Sequence, residues 1–152
     1  MIEKAKWVTA GKNIFSPCIQ REIFLKDFKS AQLEITGLGY FTCEINKKSV
    51  SKDRFMPVFS DYKERDFSNL LYPCKDKGFT HTVYYLSFDV SNLLKEGDNL
   101  IEIYLGKGYY AKSKRTVEGD LSFGDSLITR YTLKVVQKDD TVTVFYSNGQ
   151  EF

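Results

Sequence analysis

The sequence predicts an all-β protein, an antiparallel β-sandwich of the jelly-roll type. Apolar and polar residues alternate with a period of two along most of the chain, whereas helical periodicity is nearly absent. Aromatic residues make up 15% of the sequence and favour strands over helices. The predicted strands are short and turn signals are frequent, which is typical of sandwiches.

Three strands are predicted in the first 50 residues, at 21–25, 31–36 and 41–45. The second and third place apolar side chains on one face only, so each is expected to bury that face against a core. Residues 37–39 supply the turn between these two strands, and residues 46–48 supply a tight polar turn after the third.

The stretch 51–80 does not alternate and is predicted to be a long excursion with short extended pieces. It is charged and is interrupted by Pro57, Pro73 and Gly78. Loops of this length are usually functional or are insertions.

Regular alternation returns at residues 81–90, where both faces are partly apolar, which predicts a central strand. Residues 91–97 form one predicted helical turn. Either Asp89 or Ser91 can cap its start, and Gly97 can supply a left-handed exit.

Three further strands are predicted, at 100–105, 127–136 and 141–146, the last two joined in a hairpin by the turn at 138–140. With the short extended pieces of 51–80, the total is about eight to ten strands and one helical turn. A chain of 152 residues fits one domain, so residues 1–152 are expected to form a single sandwich.

Composition argues against several partners. The formal net charge of +2 gives no reason to expect nucleic acid or an anionic membrane surface. No apolar run approaches the roughly 20 residues of a membrane span, and no secretory signal is visible. Cys18, Cys43 and Cys74 are odd in number and match no metal-ligand spacing, so reduced thiols in a cytoplasmic protein are expected.

Catalysis by this chain is not expected. The lone histidine, His81, is more typical of a polar surface residue than of a general base. No nucleophile elbow, phosphate-binding loop, zinc ligand set or acid–base carboxylate pair is recognisable. Calcium is a possible ligand of Glu118, Asp120 and Asp125, but ordinary acidic turns fit their spacing better.

The segment that follows the strand at 100–105 carries the strongest binding signal. Tyr109 and Tyr110 supply aromatic faces for the apolar side of a sugar ring. Cations that can donate to sugar hydroxyls surround them: Lys107, Lys112, Lys114 and Arg115. In the alternative interpretation, one tyrosine packs at the edge of the core and the cations form a solvated rim.

Four motifs resemble one known family, the N-terminal domain of bacterial α-L-rhamnosidases. Residues 33–48 resemble its A-x-L-x-I-T-G-L-G-Y-Y-E-x-x-I-N-G-K stretch, and residues 57–65 its P-x-x-x-D-Y-x-x-R. Residues 84–99 resemble Y-Y-x-T-Y-D-V-T-D-L-L-x-x-G-x-N, and residues 105–110 resemble L-G-N-G-W-Y. Each motif alone is weak, but their order and spacing agree over nearly the whole chain.

The resemblance implies a galactose-binding-like jelly roll ahead of an (α/α) barrel that holds the catalytic acid and base. This chain is therefore expected to be an N-terminal fragment of a longer glycoside hydrolase. Its expected partners are a rhamnose-containing glycan and the downstream catalytic domain. The family also implies substrate recognition through this module, sometimes with calcium.

Three departures from the family pattern concern the same surface. Tyr109 replaces the family's tryptophan, Lys107 replaces its asparagine, and the stretch 66–80 is longer than in many members. The predicted carbohydrate-binding residues are Tyr109, Tyr110, Lys107, Arg115, Asp61 and Tyr62. Two alternatives remain, a purely structural module that packs on the catalytic domain and, less well supported, a free-standing sugar hydrolase.

Overall fold

A computed structural model describes residues 2–12, 14–58, 60, 62, 82–111 and 123–151. Alternating side chains build antiparallel strands in two sheets, preceded by a short 3₁₀ helix at Ile2–Lys4. The strands are β1 (Val8–Thr9), β2 (Cys18–Leu25), β3 (Phe28–Leu38), β4 (Tyr40–Ile45), β5 (Lys48–Ser49), β6 (Leu86–Asp89), β7 (Gly97–Gly106), β8 (Ile128–Gln137) and β9 (Val142–Tyr146).

Strand β8 organises the first sheet. It pairs with β3 along one edge, while β1 and β9 pair with successive parts of its other edge. Strand β6 lies beyond β3. The second sheet has the order β2-β7-β4-β5, and all of its pairs are also antiparallel.

One apolar core lies between the two sheets. The inward residues of β3 and β8 meet those of the second sheet, and Leu33, Ile35 and Leu133 have no exposed surface. In β7, residues at odd positions face this core while those at even positions lie on the outer face of the second sheet. The prediction of an all-β fold with antiparallel sheets is confirmed.

The local turn predictions agree with the structure. Asn46 and Lys47 take positive φ angles of 52° and 66° between β4 and β5, which is the backbone of a tight hairpin turn. The hairpin after β8 is also present, with Asp140 at a φ of 69°. Each predicted strand overlaps an observed one.

Two predictions for residues 81–97 differ from the described structure. Within the described residues, β6 begins only at Leu86 and pairs with β3 alone, which is the pairing of an edge strand and not of the predicted central one. The predicted helical turn is a hydrogen-bonded turn, in which the Leu93 amide donates to the Val90 carbonyl (3.0 Å). Asp89 does cap it, because its Oδ1 accepts the Ser91 amide at 3.0 Å.

The described part of the chain contains no helix of the length and apolar character that crossing a membrane requires.

Candidate functional site

The segment after β7 packs backbone to backbone against the turn between β3 and β4. Gly39 lies in that turn with a φ of 103°, and a Cβ atom there would stand 2.2 Å from the Gly106 carbonyl oxygen. Gly108 lies on the other side of this contact, and its Cβ would be 3.2 Å from the Gly39 Cα atom, which is tight but less severe. Only glycine allows this approach, so the two family-like motifs that the sequence places about 70 residues apart form one surface.

Residues 106–111, here called the β7 loop, fold into a compact turn. The Ala111 amide donates to the Lys107 carbonyl (3.2 Å), and the Ala111 side chain is buried. The Tyr110 carbonyl accepts the amides of Phe123 (2.9 Å) and Gly124 (3.3 Å). These bonds hold the β7 loop against the chain that leads into β8.

Two of the predicted site residues, Tyr62 and Tyr110, lie together in an aromatic cluster. The Tyr62 ring meets the Tyr110 ring edge to face at 5.5 Å and the Phe123 ring at 5.2 Å. Tyr110 also packs against the core, as the alternative interpretation of this loop expects for one tyrosine. Burial is the main cause that raises the pKa of both tyrosines.

The other two described site residues, Tyr109 and Lys107, lie outside this aromatic cluster. The Tyr109 side chain is 43% exposed. The Lys107 ammonium lies 5.2 Å from the centre of the Phe15 ring, a cation–π contact. Asp61 and Arg115 lie outside the described residues, as do His81, Glu118 and Asp120.

A groove beside the β7 loop is absent from the sequence-based prediction. Its volume is about 290 Å³, and it lies on the outer face of the second sheet. The side chains that form this aromatic groove are Ser16, Tyr40, Thr42, Arg54, Phe55 and Tyr104. One sequence signal points to it, since Tyr104 occupies an outward position in a strand whose alternate residues are Ile101, Ile103 and Leu105.

Next to the groove, a carboxylate is buried on the outer face of the sheet. Glu102 is 1% exposed, and its Oε1 accepts the Lys47 ammonium at 2.9 Å and the Gln20 amide at 3.0 Å. The Tyr104 hydroxyl stands 3.5 Å from the same oxygen. The Lys47 hydrogen bond is the largest cause that holds the pKa of Glu102 below its usual range.

The described residues contain no group of three or more His, Cys, Asp or Glu residues placed to hold a metal. Asp125, the one described member of the acidic set, has its carboxylate 3.2 Å from the Lys12 ammonium. That ion pair is the main cause of the lowered pKa of Asp125 and already neutralises its charge.

Similarity to known proteins extends over most of this chain. The family described as the alpha-L-rhamnosidase N-terminal domain matches residues 26–151, which include the β3–β4 turn, the β7 loop and all of the groove residues named above except Ser16. This chain belongs to that family. The glycine-mediated contact therefore joins two parts of one α-L-rhamnosidase N-terminal domain.

Relatives with this domain are much longer than the chain. An alpha-L-rhamnosidase from Formosa agariphila is 28% identical over 128 residues, which are 81% of this chain but 12% of that enzyme. An alpha-L-rhamnosidase from Streptomyces avermitilis is 27% identical over 86 residues, 57% of this chain and 7% of that enzyme. The α-L-rhamnosidase N-terminal domain thus spans about an eighth or less of these two relatives.

Solved structures agree with the fold. The native alfa-L-rhamnosidase from Aspergillus terreus superposes with a TM-score of 0.78 and 23% identity over 99% of this chain and 16% of that one. The Streptomyces avermitilis alpha-L-rhamnosidase complexed with L-rhamnose gives 0.71 and 23% over 90% and 12%. At this identity, the likeness concerns the fold of the α-L-rhamnosidase N-terminal domain.

Proposed function

We propose that this chain is the carbohydrate-recognition module of an α-L-rhamnosidase-like glycoside hydrolase. In this proposal the sandwich is a galactose-binding-like jelly roll, 1–152 form one domain, and a separate barrel performs catalysis in a cytoplasmic enzyme. The observation that carries the proposal is the β7 loop, which presents the exposed ring of Tyr109 beside the packed Tyr62–Tyr110 pair. An aromatic face over a rigid support suits the apolar side of a sugar ring.

Each site residue has a part in this proposal. Tyr109 stacks on the sugar, and Tyr62 and Tyr110 form the wall that fixes the position of the loop. Lys107 and Arg115 donate to sugar hydroxyls, and Asp61 accepts from them. The glycan is rhamnose-containing, because the relatives are named as alpha-L-rhamnosidases.

The chemistry of Glu102 supports a binding role over a catalytic one. A general acid for glycoside cleavage has to be protonated near neutral pH. Glu102 is the buried carboxylate nearest the groove, and its lowered pKa keeps it ionised there. In this proposal hydrolysis belongs to the separate barrel, as the family resemblance implies.

The first prediction tests sugar binding at the loop. Titration of the 152-residue chain with methyl α-L-rhamnopyranoside in a calorimeter should give saturable binding, and Tyr109→Ala should weaken it about tenfold, since an aromatic contact is worth about 1 kcal/mol beyond its buried area. Phe24→Ala is the control, because Phe24 is an exposed aromatic residue paired with Asp98, eight strand positions from Gly106.

A structural role is the second candidate. Large apolar side chains near the groove are exposed, namely Phe15, Phe55 and Val58. Such residues also suit packing against another domain. If millimolar rhamnoside gives no heat with the wild-type chain, carbohydrate recognition at the loop is refuted and the structural role is the one supported.

A further inference from the structure

We propose that the aromatic groove is a second binding site, which takes an acidic pyranose, a hexuronate unit of a glycan. The groove adjoins the β7 loop at Gly106, but none of its stacking residues belongs to the residues assigned above. The proposal therefore does not require that Tyr109 bind rhamnose.

Phe55, which lines the groove, has a strained backbone conformation. Its side chain is 73% exposed and its φ is 60°, in the left-handed region that bulky residues rarely occupy. The chain is held there on its C-terminal side, where the Phe41 amide donates to the Met56 carbonyl at 2.8 Å. A strained backbone that displays an aromatic ring to solvent costs stability, and such strain is concentrated at functional sites.

Aromatic side chains supply much of the lining of the groove. Phe55 meets Tyr40 edge to face at 5.4 Å, with 70° between the ring planes. Tyr104 forms part of another wall, and its hydroxyl is near the buried carboxylate of Glu102. Two aromatic rings that are already positioned by neighbours can contact a sugar with little further loss of side-chain freedom.

The groove has a positively charged residue in its lining. Arg54 lines the groove, and among the described residues it makes no ion pair or hydrogen bond. No carboxylate side chain is part of the lining, where the other polar groups are hydroxyls of Ser16, Thr42 and the tyrosines. A guanidinium with unused donors recognises a carboxylate in a bidentate manner, which a neutral sugar does not offer.

The volume of the groove is close to that of a small ligand site. A volume of about 290 Å³ is just below the range of roughly 300–1,000 Å³ for small-molecule sites. The groove therefore suits one sugar ring, and an open side lets the rest of a glycan extend along the sheet face. A glycan with rhamnose at the β7 loop and a uronate in the groove would contact both sites.

The test uses two ligands that differ in one group, sodium D-glucuronate and D-glucose. Titration of the 152-residue chain, followed by NMR, should show glucuronate binding at least about tenfold tighter than glucose, which is the scale of one charge-assisted contact. Arg54→Gln should remove this preference. Phe55→Ala should weaken glucuronate binding about tenfold.

Controls separate this proposal from loss of fold and from the rhamnose site. Phe24→Ala removes an aromatic side chain that is 66% exposed on the same outer face, at the opposite end of the sheet, and should leave glucuronate binding unchanged. Tyr104→Phe keeps the ring and should retain binding. Tyr109→Ala should affect the rhamnoside alone, so the two proposals can fail independently.

Three results would overturn the proposal. One is equal affinity for glucuronate and glucose, and another is glucuronate binding that survives Phe55→Ala in a folded chain. The third is the absence of any chemical-shift change at the groove with millimolar glucuronate, above all if the same face instead forms a dimer contact in solution.

Discussion

Glu102 is a single residue that couples the outer face of the second sheet to pH. Its carboxylate is almost fully buried beside Gln20 and Tyr104, and the Lys47 ammonium compensates its charge. Only the carboxylate of this pair is buried, since the Lys47 side chain is 71% exposed, so water screens part of the interaction.

The pH dependence of stability follows from the lowered pKa of Glu102. The ionised form prefers the folded chain, so its contribution is complete above the pKa of an unfolded Glu, about 4.3, and is lost as the pH falls further. Glu102→Gln should therefore be less stable than wild type at neutral pH, and the gap should narrow toward pH values of about 3. Urea unfolding across this range measures it.

Other carboxylates titrate in both proteins and cancel in the difference. Asp89 and Asp139 are two examples, because neighbouring hydroxyls lower their pKa values in the wild type and in the variant alike. A gap that stays constant from neutral pH to acid would show that Glu102 carries no folding-linked charge.

At the scale of elements, the contact between the β3–β4 turn and the β7 loop depends on Gly39. Gly97, where β7 begins, is its matched control. Both glycines have a positive φ, 103° and 89°, but a Cβ on Gly97 would meet nothing within 4 Å. A comparison of the two positions separates backbone strain from steric exclusion.

Gly97→Ala should cost about 1–2 kcal/mol through its positive φ alone. Gly39→Ala should cost several kcal/mol more than that, or should displace the β7 loop, because its methyl group would overlap the Gly106 carbonyl. Urea midpoints of the two variants measure the difference. Equal losses would mean that the close approach of the two backbones does not contribute.

Sequence patterns predict the positions of the strands well, but they predict poorly which strands pair with each other. The period of two fixes which side chains of β3 and β8 are buried, since it depends only on local geometry. Apolar residues on both faces of 81–90 suggested a central strand, but β6 pairs with β3 alone in the described chain. Sheet order is decided by contacts across the whole fold, which alternation does not record.

The candidate site shows the same division. The glycines and tyrosines of the β7 loop are visible as a motif, because they are contiguous in the sequence. The aromatic groove joins residues from β4, β7 and two loops, so no local pattern reveals it. The strained φ of Phe55 is imposed by its surroundings and leaves no signal in residue type, since glycine or asparagine would be expected there.

At the scale of the whole molecule, β8 connects the parts of the first sheet. Leu133 has no exposed surface and stands in register with Leu33 on β3 and Phe145 on β9. Its side chain faces the core that both sheets share. Stability should therefore depend on it more than on any residue at a sheet edge.

Leu133→Ala should reduce the free energy of unfolding by about 2–5 kcal/mol, through lost transfer energy and the cavity that remains. Val142→Ala, on β9 and 51% exposed, should cost about 1 kcal/mol or less. Chemical denaturation followed by tryptophan fluorescence of Trp7 measures both. A loss for Leu133→Ala no greater than that for Val142→Ala would contradict a single shared core.

The pairing of Leu33 with Leu133 also sets the order of events during synthesis. A ribosome that adds about 5–20 residues per second needs roughly 5–20 seconds to pass from one residue to the other. Throughout that interval β3 has been made but the long β8 edge that will pair with it has not. The core therefore closes late, and its closure is slow because so many of its contacts join distant parts of the chain.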